Sequence, residues 1–222
     1  MKFLNKIMRP VKWKNLRATQ PISSVFGLDR GMPVDRYYIE KFLSANGHLI
    51  TGRILEIGDN TYTKKFGRKV VLSEVLSYEA SKRTAVIHGD LTKFETLPSN
   101  AVDCLICTQT LNFIYDFKSA IAGIRFLLKD NGTALVTLAG LCQISQYDME
   151  RWGDFWRFTS RSALESFAEV FGKENVSVGH YGNVLAGVSL LHGISAEELT
   201  KEELDVKDPN YQIVITVIAK KC

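Results

Sequence analysis

From about residue 50 onward the chain alternates short apolar runs with segments of helical periodicity, which limits its fold more than any other feature. "RILEIG" (53–58) is an apolar run suited to a strand buried on both faces. "KKFGRKVVLSEV" holds a second strand near Lys69 to Val75, "TAVIHGD" a short third ending at Asp90, and "AVDCLICTQT" a fourth. Phe117, Ala120, Ile121, Ile124, Leu127 and Leu128 then recur at helical spacing behind Asp116, a capping residue. Gly132 in "KDNG" suits the left-handed turn after a helix end. "TALVTLAG" reads as the fifth strand. "FTSRSALESFAEVFG" reads as a helix capped by Thr159 or Ser160 and ended by Gly172. "NVSVGHYG" is a strand, "ISAEELTKEEL" a helix with a Ser195–Glu198 capping box, and "YQIVITVIAKK" a long last strand. Strands alternating with helices predict an α/β chain: a mostly parallel, doubly wound sheet with helices on both faces.

Ligands of such sheets bind beyond the carboxyl ends of the strands, which singles out a few polar residues. The first strand ends in Glu56-Ile57-Gly58-Asp59-Asn60, and Gly58 lets backbone approach a ligand closely. The dinucleotide fingerprint G-x-G-x-x-G is absent, because Asn60 and Thr63 stand where its later glycines belong; that argues against a pyrophosphate cofactor. Glu74, followed by Val75, is placed at the second strand end, where a carboxylate can bind both ribose hydroxyls. At the third end, Asp90 can take an adenine amino group and Leu91 can pack on the ring. Thr108 and Gln109 open the polar bend "TQTLNF" at the fourth. Each also has an ordinary reading: a tight turn at Gly58, a solvated charge at Glu74, a turn pair at Gly89-Asp90.

Residues 52–129 resemble a class I S-adenosylmethionine-dependent methyltransferase. "LEIGDN" is similar to the family's E/D-x-G-x-G-x-G loop, "SEVL" to its second acidic motif, and "GDLT" to its adenine-binding acid. "VDCLICTQTLNFIYD" with "FLLKDNGTALVT" resembles its fourth strand, helix and fifth strand. "YDMERWGDFWRFTSRSALESF" resembles a segment of methyltransferases encoded with bacterial glycosyltransferases. The resemblance implies a Rossmann-like, seven-stranded sheet with an antiparallel last strand, and S-adenosyl-L-methionine held by Glu56, Gly58, Glu74 and Asp90, with Asp59, Asn60, Val75, Leu91, Thr108 and Gln109 beside them. It implies methyl transfer to a sugar or glycan precursor, with a glycosyltransferase as a partner. A non-catalytic docking partner of such an enzyme is the alternative. The departure is Asn60, at the family's second glycine; Asn tolerates left-handed backbone, and its side chain is then expected beside the cofactor's methionine portion.

The acceptor side is expected in "LCQISQYDMERWGDFWRFT". Aromatic rings mixed with carboxylates and arginines suit a sugar, whose apolar faces stack while its hydroxyls take charges. Tyr147, Trp152, Trp156 and Arg157 are the expected substrate contacts. A hydroxyl acceptor also needs a base, for which Asp148, Asp154 and His180 are candidates. Trp152 and Trp156 covering the core, with Arg157 paired to Asp154 or Asp148, is the structural alternative. His48, His88 and His192 have no supporting motif, and no histidine–carboxylate cluster calls for a metal.

The chain has 222 residues. Residues 1–45 are expected to form an arm and a covering helix ("DRYYIEKFLSANG"), and 46–222 the methyltransferase domain. The net charge of +4 does not argue for nucleic acid. Six cations and no acid fall in residues 1–17, a segment suited to weak contact with an anionic membrane surface or to packing on its own domain. "MKFLNKIMRP" lacks a signal peptide's apolar core, so a cytoplasmic location is expected. Cys104 and Cys107 lie three apart on one strand, with side chains on opposite faces; they read as buried thiols rather than a redox or zinc pair, and no disulfide is expected.

Overall fold

The computed structural model describes residues 14–78 and 87–222. Of the basic arm, residues 1–13 lie outside the described residues, and Lys14–Arg17 form a single 3-10 turn. In chain order come helix α1 (Val34–Ala45), strand β1 (Gly52–Ile57), helix α2 (Thr61–Phe66), β2 (Val70–Ser77), β3 (Ile87–His88) and β4 (Val102–Thr108). There follow α3 (Phe117–Leu127), β5 (Leu128–Ala139), the short α4 (Gln146–Met149), α5 (Ser160–Phe171), β6 (Val176–Tyr181), α6 (Val184–His192), α7 (Lys201–Asp205) and β7 (Val214–Lys220). The strands form one seven-stranded sheet in the order β3-β2-β1-β4-β5-β7-β6. β7 runs antiparallel to both β5 and β6, and the other pairings are parallel. This is the Rossmann-like sheet expected from the resemblance.

The central strands are apolar at consecutive positions because each face of the sheet has its own core. Ile54, Cys104, Ile106 and Leu135 point to the side covered by α1 and α6, where Tyr38, Leu43 and Leu190 meet them. Leu55, Leu105, Cys107 and Val136 point to the side covered by α3 and α5, against Ile124, Leu127 and Phe167. Cys104 and Cys107 thus take opposite faces, both fully buried, and burial pushes each thiol up to about 12. All four cysteines are free.

Several local expectations hold in detail. The Asp116 side chain accepts the Ser119 amide at the start of α3, Thr159 caps α5, and Gly172 closes α5 at φ +85°. Others need correction. β5 begins at Leu128, directly after α3, and the left-handed residue in "KDNG" is Asn131 (φ +66°), not Gly132. The "ISAEELTKEEL" segment is two pieces, a 3-10 turn over Ala196–Glu198 and then α7, each with its own capping box. Helix α6 has no counterpart in the sequence reading: its Gly- and Ser-containing apolar stretch lacks a polar face to mark a helical period. β2 extends to Ser77, two residues past the expected end. No helix among the described residues is long and apolar enough to cross a membrane.

The contact between α3 and the turn after β3 tests this packing. A Cβ at Gly123 of α3 would lie 2.0 Å from the backbone oxygen of Leu91. Backbone cannot rotate aside, so Gly123→Ala should destabilise the fold by about 1–3 kcal/mol, measured by urea denaturation.

Candidate functional site

The β1–α2 turn is built on a buried carboxylate. Glu56, 2% exposed, accepts the amides of Tyr62 (3.1 Å) and Thr63 (2.7 Å) and the Thr63 hydroxyl (2.7 Å). Those amides open α2 and have no partner within the helix, so the acid satisfies them and complements the helix dipole. Burial raises its pKa, and the Thr63 hydrogen bonds oppose the rise. Glu56 is therefore the anchor of the loop; its oxygens are spent on the chain itself, against the expectation that it lines a cofactor site. Above it, Gly58 has φ +86°, and a Cβ added there would meet no described residue within 4 Å. Asp59 is exposed and accepts the Thr61 amide at 2.8 Å. Asn60 adopts φ −119°, not a left-handed conformation, and its side-chain amide donates to Ser73 of β2 at 3.3 Å. Its side chain is thus committed to β2 instead of standing in a ligand's path.

The next two strand ends differ from expectation. Because β2 continues to Ser77, Glu74 sits mid-strand opposite Leu55. It is 5% exposed and receives both Arg53 donors, Nε and Nη2, the latter at 3.0 Å. Among the described residues the strand ends in Ser77-Tyr78. Val75 is buried in the sheet. Leu91 is buried in the core, its carbonyl against α3, so it has no free face for a ring. Asp90 is half-buried, and one oxygen accepts the Thr92 amide (2.9 Å) and hydroxyl (2.8 Å).

A cavity of about 450 Å³ opens at the carboxyl ends of β1, β4 and β5, where Asp59, Thr108, Gln109 and Ala139 line it. Gln109 holds φ +48°, an uncommon conformation for a residue with a side chain. Its Nε2 is buried without a partner among the described residues, as is Oδ1 of Asn112, a residue only 4% exposed that also lines the cavity. Buried orphan atoms of this kind require an explanation, and a ligand is one. The roof is the segment from Phe26 to Glu40, including Asp35 and Arg36. It is clasped to the chain beyond α6: the Arg30 guanidinium to Glu198 (2.8 Å), the Met32 amide to Glu197 (2.9 Å), and a β-bridge between Pro33 and Ser195.

The acidic and aromatic segment forms the far wall. Asp148, Asp154 and Arg157 line the cavity. Arg157 forks onto both oxygens of Asp154 (2.5 and 2.8 Å) and onto the Gln143 carbonyl (2.9 Å). That fork holds the Asp154 carboxyl below its usual range, so Asp154 is a structural acid rather than a base, and Arg157 is its partner. Trp156 is half-buried against Phe117, and its Nε1 donates to the Tyr115 carbonyl at 3.1 Å; it belongs to the core wall. Trp152 and Tyr147 are exposed, Trp152 leaning on Phe113 and Tyr147 covered by the Arg151 guanidinium. With exposed Tyr115 and Phe155, in edge contact with each other, they make an aromatic surface on this side of the molecule. His180 lies on β6, the outermost strand, and is absent from the cavity wall; burial lowers its pKa.

The sequence reading missed Asp35 and Asn112. Asp35 is half-buried in the first turn of α1 and lines the cavity; burial raises its carboxyl pKa. Its place in a segment expected to cover a pocket was the only available signal. Asn112 lay inside the "TQTLNF" bend without a pattern to separate it from its neighbours. Among the described residues no group of three or more His, Cys, Asp or Glu is arranged to hold a metal.

Two outcomes follow from these pairings. Glu74→Gln should cost about 1–3 kcal/mol in urea denaturation, between an exposed and a fully buried pair, and should leave the affinity for S-adenosylhomocysteine within about threefold. Asp154, whose pKa is depressed, contributes stability in full above the ordinary aspartate range and loses it as pH falls through the lowered value. Asp154→Asn should therefore be less stable at neutral pH and show a shallower loss of urea midpoint on acidification.

Residues 62–136 match a family model described as a methyltransferase domain. No curated protein matches the chain in sequence. Among solved structures the chain is similar to a SAM-dependent methyltransferase from Archaeoglobus fulgidus, at 14% identity over 84% of this chain and 94% of that one, with a TM-score of 0.53. It is similar to a SAM-dependent methyltransferase from Thermotoga maritima, at 15% identity over 85% of this chain and 92% of that one, with a TM-score of 0.55. It is also similar to the 4+2 cyclase SpnF, at 15% identity over 86% of this chain and 83% of that one, with a TM-score of 0.55. The chain thus has the Rossmann-like fold of the SAM-dependent methyltransferases, and carries within it a segment that matches their domain.

Proposed function

We propose that the protein is an S-adenosylmethionine-dependent methyltransferase acting on a small polar acceptor, with O-methylation of a sugar or glycan precursor as the favoured reaction. The observation that carries this reading is the cavity at the carboxyl ends of β1, β4 and β5, with buried unpartnered atoms of Gln109 and Asn112. The positive φ of Gly58 and the exposed Asp59 fit the amino-acid end of the cofactor. On the nucleoside side the fit rests on Asp90 and Ser77, not on Glu74. The matching family segment and the fold support the same cofactor. S-adenosylmethionine, when bound, supplies a methyl group on a positively charged sulfur, so the chain's own task is alignment and water exclusion. The clasped roof excludes water, and Asp148 and the aromatic surface of Tyr147, Trp152, Phe155 and Tyr115 receive the acceptor's polar groups and ring faces.

A second reading is a cofactor-binding or docking partner of a glycosyltransferase without turnover. It is favoured by the commitment of Glu74 to Arg53, which removes the one carboxylate of β2 itself from the ribose. It also draws on the likeness to a cyclase, a reminder that this fold carries more than one activity. Labelled cofactor incubated with nucleotide sugars and glycans separates the two readings, with transfer expected under the first. A cytoplasmic role in polysaccharide synthesis belongs to the same proposal.

Calorimetry with S-adenosylhomocysteine tests the cofactor half. Wild type should bind, and Gly58→Val, which places a branched side chain at a positive φ, should weaken binding at least about tenfold. Undiminished affinity in that variant would remove the loop from the site.

A further inference from the structure

The acceptor's proton needs a destination, and the carboxylates around the cavity are not equivalent. Asp154 has both oxygens held by Arg157. Glu40 is paired with Lys65 at 2.6 Å. Asp59 is exposed and accepts the Thr61 amide. Asp148 is half-exposed on a one-turn helix. Asp35 differs from all of these. It lines the cavity from the roof, accepts the Arg36 amide at 2.8 Å, and has no ion pair within 4 Å among the described residues.

We propose that Asp35 is the catalytic base, a role that rests on the methyl-transfer function proposed above: its carboxylate faces the transferred group and takes the proton of a hydroxyl acceptor. As the acceptor's lone pair forms the new bond to carbon, its proton passes to a carboxylate oxygen of Asp35. The electron pair of the broken carbon–sulfur bond stays with sulfur, and Asp35 later returns the proton to solvent. The acceptor leaves one methyl heavier and one proton lighter.

The surroundings suit that task. Burial is the largest influence on Asp35 and raises its pKa, while the Arg36 charge and amide oppose the rise. A carboxylate whose pKa is raised is, once ionised, a stronger proton acceptor. The titratable neighbours that sense its charge do not compete. The Tyr62 phenol of α2 is pushed up to about 12 and the Cys142 thiol to about 11, both chiefly by burial, so each stays protonated. Across the cavity stand Asp148, Asp59 and the Asp154–Arg157 pair. The clasp of the roof to Glu197, Glu198 and Ser195 holds Asp35 over the cavity.

The test compares two cofactor analogues by calorimetry on the full chain: S-adenosylhomocysteine, which lacks the transferable methyl, and sinefungin, which presents an ammonium in its place. Wild type should prefer sinefungin by about tenfold or more at neutral pH, and Asp35→Asn should abolish that preference while holding S-adenosylhomocysteine within about threefold. The wild-type preference should fade on acidification at a pH above the ordinary aspartate range, and the Asn variant should show no such profile. Asp35→Glu, which keeps the charge, should restore part of the preference if Asn perturbs the roof. An unchanged analogue ratio in Asp35→Asn, with S-adenosylhomocysteine bound, would overturn the role of Asp35 and leave the cofactor reading standing. Failure of wild type to bind either analogue would overturn the cofactor reading, and Asp35 with it.

Discussion

The architecture of the site depends on one buried carboxylate. Glu56 holds the opening of α2 through two backbone amides and a hydroxyl, and that grip sets the course of the chain through Gly58 to Asn60. An apolar side chain there would leave helix amides buried without acceptors, at a cost of roughly 1–3 kcal/mol each. The turn is therefore organised from beneath by side-chain chemistry, which is why a single glycine suffices where richer loops use several. Asn60 completes the arrangement by reaching across to Ser73.

Much of the fold was legible because burial on both sheet faces demands runs of apolar residues, and amphipathic α3 and α5 carry clear caps at Asp116 and Thr159. What escaped was α6, whose apolar composition hides its period, and the true end of β2. That second miss had consequences. A strand three residues longer than Glu74 turns an expected ribose ligand into the partner of Arg53. Local sequence shows a carboxylate near a strand end; register decides whether it looks outward, and register is a property of the assembled sheet.

The site itself was half legible. Asp59, Thr108 and Gln109, singled out at strand ends, and Asp148, singled out in the acceptor segment, all line the cavity, whereas Val75 and Leu91 are core. His180 was carried by its residue type alone, and its strand sits two positions outward from β5. Asp154 and Arg157 came together as the structural alternative described. Asp35 was invisible because it joins the cavity through a long-range clasp between residues 30–33 and 195–198, and no local pattern encodes such a closure.

The placement of Cys104 and Cys107 gives the molecule two internal reporters. One thiol is sealed beneath the α1–α6 layer and the other beneath the α3–α5 layer, on the same strand and three residues apart. Alkylating reagents reach a sealed thiol only when its covering layer lifts. Separate labelling rates for the two would time the breathing of each half of the sandwich, and would reveal whether the layer bearing the roof loosens ahead of its opposite.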